Sequence, residues 1–193
     1  MGFLSVLSMA HRLVGERLQP GEIAVDATAG TGADTLFLAK ACGRRGQVYS
    51  FDVQGEALAL TEQRLAKSAA LNLARVTLVE RSHAEMCAAV AEEHHGRVGA
   101  VMFNLGYLPA AGADAALITQ TASTLKALAA ALVLLRPRGI ITAVLYPGHP
   151  GGEAEALAAE AWAAGLPAEA AQAILYRQPQ KAAAPYLMAI EKR

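Results

Sequence analysis

With 193 residues, 54% hydrophobic and 18% charged, the chain is too apolar to be disordered and long enough to bury the core of one domain. Seventeen basic residues balance seventeen acidic ones. No overall positive field therefore advertises a nucleic acid, and a polyanionic partner would need a local patch. Cys42 and Cys87 are the two cysteines and have no CxxC spacing, which excludes a disulfide framework and fits a reducing cytoplasm.

The elements follow in chain order. The opening "MGFLSVLSMAHRLVGERLQPG" has no basic leader, and His11, Arg12, Glu16 and Arg17 break its apolar run. It reads as neither a signal peptide nor a membrane span. Phe3, Leu7, Ala10, Val14 and Leu18 recur at helical spacing, so residues 1–20 predict an amphipathic helix packed on the domain and stopped at Pro20-Gly21. Strands are then expected at 23–28, 47–53, 76–81, 98–105 and 139–146, and helices at 33–42, 56–71, 83–94, 118–136 and 153–165. Two strands, 170–178 and 185–192, close the chain with no helix between them. The alternation predicts an α/β fold over residues 1–193: a doubly wound, seven-stranded, mostly parallel sheet ending in an antiparallel hairpin.

The stretch "VDATAGTGADT" ends the first strand at Asp26 and places Gly30 and Gly32 in the following turn. In such sheets ligands sit beyond the carboxyl ends of the strands, where the order reverses. Glycines there allow a sharp turn and close approach of a ligand. A phosphate-binding P-loop is excluded, since no Gly-Lys-Ser/Thr follows. A dinucleotide fingerprint is weak, because Thr35 stands where its third glycine belongs. The acid-x-x-x-Gly-x-Gly spacing matches the turn of S-adenosylmethionine-dependent methyltransferases. Asp52 ends the second strand, where a carboxylate can accept both ribose hydroxyls; it could also simply cap the next helix.

The fourth strand ends in "FNLGYLP". The amide of Asn104 and the carbonyl of Leu105 could accept the hydrogens of an amine and aim its lone pair at a methyl group. Tyr107 could stack on the base carrying that amine. The plainer alternative is that Asn104 caps a turn. After the third strand, Ser82 and His83 stand where an adenine contact is expected, and "SHAE" also reads as a helix-capping box. His149, in "YPGHPGG" after the fifth strand, could take a proton, contact phosphate, or only shape a rigid turn. His94-His95 lacks partners at metal-ligand spacing and reads as a solvated helix end, so no metal is expected. Arg136 and Arg138 flank Pro137 at the far end of the long helix, away from the site, and Trp162 reads as a core or dimer contact.

The stretches "DATAGTGADTLFLA", "VYSFDVQ", "RSHAEM", "VMFNLGYLPAAGAD", "ASTLKAL", "LYPGHPGG" and "PYLMAIEK" together resemble the tRNA 5-(aminomethyl)-2-thiouridine methyltransferase family, whose members were long labelled rRNA methylases. The resemblance covers nearly the whole chain and is most specific at "FNLGYLP" and at Tyr146–Pro150. It implies a Rossmann-like class I methyltransferase fold and a cytoplasmic enzyme, often a homodimer, without membrane or DNA partners. It also implies methyl transfer from S-adenosylmethionine to the aminomethyl nitrogen of a wobble uridine in the tRNA anticodon region. Carried over position by position, it implies that Asp26, Gly30, Thr31, Gly32, Asp34, Asp52, Gln54, Ser82 and His83 surround the cofactor. Asn104, bordering the cofactor as well, falls with Tyr107, Tyr146 and His149 on the substrate side. The family's Gly-Asn-Gly-His-Asp-Thr turn is Gly-Thr-Gly-Ala-Asp-Thr here, so Thr31 loses an amide and Ala33 an imidazole. Two other readings stay open: a methyltransferase for another nucleobase, as in rRNA, or for a small amine; and a non-catalytic binding protein that keeps the fold.

Overall fold

The computed structural model describes residues 2–68, 72–106 and 121–193. Its strands are β1 (Ile23–Asp26), β2 (Gln47–Asp52), β3 (Arg75–Glu80), β4 (Val98–Leu105), β5 (Leu135–Leu145), β6 (Ala171–Tyr176) and β7 (Tyr186–Lys192). They form one sheet in the order β3-β2-β1-β4-β5-β7-β6. The first five run parallel. The closing pair is antiparallel as expected, and β7 inserts between β5 and β6.

The helices are α1 (Val6–Gly15), α2 (Ala33–Cys42), α3 (Gly55–Ala66), α4 (Met86–Ala89), α5 (Thr121–Leu134) and α6 (Gly152–Ala164). Alternate strand residues feed two cores. Val25, Phe51, Phe103 and Ile141 pack with Met86, Leu128 and Ala159 on one face. Ala24, Val48, Met102 and Val144 pack with Val14 and Leu38 on the other. Both faces are therefore covered, with α1 and α2 on one and α4, α5 and α6 on the other. Trp162 is partly buried against the first core, in line with a core role.

Four expectations need correcting. The N-terminal helix buries Ala10, Val14 and Leu18, but Phe3 and Leu7 stay exposed; Ser5 caps the helix only from that point, accepting from the Ser8 N–H. The helix expected at 83–94 breaks into a 3-10 turn, the short α4 and a second 3-10 turn. There the His95 ring donates to the Val90 carbonyl (3.2 Å), while the His94 N–H turns to Ala91; a continuous helix would have joined the His94 N–H to Val90. His94 is not a free solvated end either, since its Nδ1 meets the Tyr49 hydroxyl at 2.9 Å. The long helix ends at Leu134 rather than Arg136 and β5 starts at once, because Pro137 disfavours helical backbone at the preceding residue. Residues 136–139 bulge out of the β4–β5 register, with Arg138 at φ 61°.

Candidate active site

Reversal of strand order falls between β1 and β4, so the crevice opens above the carboxyl ends of those strands. Thr28, just past β1, bridges them: its Oγ1 accepts the Asn104 N–H at 2.7 Å. The turn from Ala29 to Gly32 then folds back over β2. The Ala29 N–H donates to the Phe51 carbonyl (2.8 Å), and the Gly30 N–H donates to Asp52 Oδ2 (2.9 Å). Gly30 and Gly32 take φ values of 52° and 76°, in the left-handed region. Gly32 has a second constraint, since a Cβ there would lie 2.8 Å from the Thr61 Cα of α3. The close approach at Gly32 is thus to α3. From α3, Arg64 donates to the Thr31 carbonyl at 2.6 Å and ties down the outside of the turn.

Three carboxylates surround this turn. Asp26 is fully buried and accepts from the Thr35 hydroxyl (2.6 Å) and the Thr28 N–H (3.1 Å). Burial first, and then repulsion from Asp34, push its pKa up to about 7 against the pull of those hydrogen bonds. Asp52 is half-buried and accepts from Gly30 and, through Oδ1, from the Gln54 N–H (3.0 Å). It therefore both caps locally and keeps lone pairs for another donor. Gln54 is buried at the start of α3. Asp34, in the first turn of α2, is 8% exposed. With Asp26 buried beneath the turn, Asp34 and Asp52 remain beside it to suit a ligand carrying positive charge.

On the β3 side, Ser82 caps the 3-10 turn by accepting the Ala84 N–H (3.2 Å), as the capping reading expects. His83 is buried beneath the turn and its Nδ1 donates to the Ala27 carbonyl (3.2 Å). Its Nε2 is consequently left as an acceptor, buried without a partner among the described residues. Burial lowers its pKa and keeps the ring neutral, more than offsetting the Ala27 hydrogen bond.

The other wall brings three sequence-predicted residues together. Asn104 ends β4 beside β5, after which come Tyr146 and His149. Burial first, and then the negative charge of Asp34, raise the pKa of the Tyr146 hydroxyl, against the pull of the neighbouring Asn104 side chain. The Tyr146 ring lies 6.4 Å from that of His149. His149 Nδ1 donates to the Pro150 carbonyl (3.1 Å), leaving Nε2 a buried acceptor without a partner among the described residues. The loop is held from behind. Gly152 packs so tightly that a Cβ would meet the Tyr146 carbonyl at 2.1 Å, and Ala183 of the β6–β7 connection backs Gly148. Tyr107 and Pro109 lie outside the described residues. No group of three metal-ligating side chains occurs among the described residues.

Sequence reasoning missed His11. It projects from α1 to Asp34, Nε2 to Oδ1 at 2.5 Å, and stacks on Phe37 with ring centroids 4.0 Å apart. The helical period of α1 showed a packing face but gave no sign that a residue beside it meets an acid of the turn.

This strand order, with a glycine turn after β1 and an acid ending β2, defines a class I, S-adenosylmethionine-dependent methyltransferase. The chain belongs to the family described as "Putative rRNA methylase", whose model matches residues 48–191. It is 36% identical over 191 residues to an Arabidopsis thaliana protein named tRNA (mnm(5)s(2)U34)-methyltransferase, chloroplastic, covering 96% of this chain and 68% of that one. A Clostridium thermocellum structure described as a "putative rRNA-methylase" superposes with a TM-score of 0.91 at 34% identity, with both chains covered completely. A Streptococcus mutans methyltransferase in complex with SAH matches with a TM-score of 0.85 at 31% identity, again over both whole chains.

Asp52→Ala is expected to weaken S-adenosylmethionine binding by about 1.5–3 kcal/mol, the scale of hydrogen bonds to a charged group. Calorimetry should read this as a ten- to hundredfold change, roughly. An unchanged affinity would remove Asp52 from the ribose.

Proposed function

We propose that this protein transfers a methyl group from S-adenosylmethionine to the aminomethyl nitrogen of 5-aminomethyl-2-thiouridine at the wobble position of tRNA. The observation that carries this reading is the meeting of Asn104, Tyr146 and His149 at the switch point, next to the glycine turn. The name of the Arabidopsis relative specifies the methylated form of this same nucleoside at position 34 of tRNA.

The residues present fit the cofactor. Asp34 and Asp52 beside the turn suit its positive charge, Asp52 has acceptor capacity for a ribose, and the Nε2 of His83 on the β3 side has no partner among the described residues. Bound S-adenosylmethionine supplies an electrophilic methyl. The protein's task is then to position and deprotonate the acceptor. An alkyl amine is mostly protonated at neutral pH, so a proton must leave before the lone pair can attack. His149 Nε2, with Nδ1 turned to the Pro150 carbonyl, is placed to take it. The Asn104 amide oxygen and the Leu105 carbonyl hold the remaining amine hydrogens, and Tyr107 stacks on the base. Tyr146 keeps the Asn104 amide in place.

A polyanion needs local positive charge even on a neutral protein. Arg81, following β3, and Lys181, between β6 and β7, are exposed at the carboxyl edge of the sheet, and we assign them to the anticodon stem and loop. Edge strand β6 exposes Ile174 and Leu175, 52% and 44% accessible, which supports a homodimer through that edge. The free thiols of Cys42 and Cys87 support a reducing, cytoplasmic setting. No helix among the described residues is long and apolar enough to cross a membrane.

The test is to incubate the purified chain with S-adenosylmethionine and tRNA carrying the aminomethyl wobble nucleoside, then digest and weigh the nucleosides. The methylated nucleoside should replace its precursor, and tRNA binding should weaken steeply with salt. Methylation of ribosomal RNA or of a free amine, with the wobble nucleoside untouched, would overturn the assignment.

A further inference from the structure

We propose that His11 is a positioning residue that holds the Asp34 carboxylate ready to receive an alkylammonium group where cofactor and acceptor meet. The inference rests on the methyl-transfer reading above. It gives α1 a part in the site, where the sequence showed only a packing helix.

His11 is fixed twice. Its ring lies flat on Phe37, with an interplanar angle of 1°. Its Nε2 reaches Asp34 Oδ1 at 2.5 Å. Phe37 follows Asp34 by three positions on α2, so both present the same side of that helix to α1. The stack fixes the plane of the imidazole, and the hydrogen bond fixes the rotamer of the carboxylate. Asp34 is more than nine-tenths buried, yet its Oδ2 has no hydrogen-bond partner among the described residues. Oδ2 is the solvent-reached oxygen of that carboxylate, so a donor entering the site can reach it.

The surroundings define that donor. Asp34 is close enough to Asp26, under the glycine turn, and to Tyr146, on the acceptor side, for its negative charge to raise both of their pKa values. It thus stands between the cofactor turn and the Asn104–Tyr146 pair. An alkylammonium offers both a positive charge and N–H donors to the open oxygen. Two sources exist in a methyl transfer to an amine: the amino group of the cofactor's methionine portion and the aminomethyl group of the acceptor.

The experiment compares S-adenosylhomocysteine with 5′-methylthioadenosine, which lacks the amino-acid portion, by calorimetry on the full chain. If the cofactor's amino group is the ligand, His11→Ala should weaken S-adenosylhomocysteine about five- to tenfold and methylthioadenosine less than about twofold. If the acceptor's amine is the ligand, both affinities should hold. The KM for aminomethyl tRNA should then rise about five- to tenfold, with no change in inhibition by tRNA lacking that group. In either case His11→Gln, which keeps an N–H donor near the Nε2 position, should recover most of the loss. Equal weakening of both adenosine ligands would show that α1 had merely undocked, and would overturn the proposal. So would an unchanged response in every arm, or a glutamine variant no better than alanine. The calorimetric arm uses no tRNA, so a failure of the tRNA assignment is read separately.

Discussion

Asn104→Ala should lower turnover by about a hundredfold or more, the scale of a misplaced reacting group, while S-adenosylmethionine affinity moves by less than about threefold. The backbone explains why the two effects should separate. Asn104 is anchored through its N–H to Thr28 Oγ1 and through the β4–β5 ladder, and alanine keeps both. What is lost is the side-chain amide beside Tyr146. The acceptor would still enter, but its lone pair would no longer be aimed at the methyl carbon. Tyr146→Phe should cost less, because it removes only the group that steadies the amide. Single-turnover rates at saturating tRNA give the comparison directly. An alanine enzyme with the normal rate would leave the aiming of the amine to the Leu105 carbonyl or His149.

Much of this was legible in the sequence because it depends on local chemistry at strand ends. The helix Ala33–Cys42 and the strand Val98–Leu105 have the bounds read from the sequence. Each is bracketed by Gly or by an abrupt change in polarity, and Asp26, Asp52 and Asn104 mark the carboxyl edge of the sheet. The misread elements share a different cause. At 83–94 the helical pattern was sound, but the His95 ring competes for the Val90 carbonyl, and a periodicity argument carries no information about that contact. At Phe3 and Leu7 the apolar spacing continued past the point where the helix meets the sheet. His11 was invisible for a related reason. Its partners Asp34 and Phe37 lie more than twenty positions away, and only the packing of α1 on α2 brings them together. The glycine turn was recognised by spacing, yet spacing could not reveal that Gly32 faces another helix.

That contact, together with a positive φ, makes a single methyl group at Gly32 costly in two ways. Gly32→Ala should destabilise the protein by about 2–6 kcal/mol. Roughly 1–3 kcal/mol comes from holding a non-glycine residue at positive φ, and roughly 1–3 kcal/mol from overpacking. Gly32 sits at φ 76°, and its Cβ would fall 2.8 Å from Thr61 Cα and 2.9 Å from Thr61 Oγ1. The obstacle includes helix backbone, which cannot swing aside as a long side chain can. Either α3 shifts or the turn does. A moved turn would also disturb the Gly30 N–H bond to Asp52 and the Arg64 bond to the Thr31 carbonyl. For a chain of this length the melting temperature should fall by roughly 4–24 °C. Gly96→Ala separates the two contributions, because Gly96 has a similar φ of 69° with nothing within 4 Å of its Cβ. It should show the backbone cost alone, about 1–3 kcal/mol, and leave S-adenosylmethionine affinity intact. Thermal melts and calorimetry on the two variants make the comparison. Equal destabilisation by both would mean that α3 yields freely, and that Gly32 is needed for its backbone conformation and not for room beside Thr61.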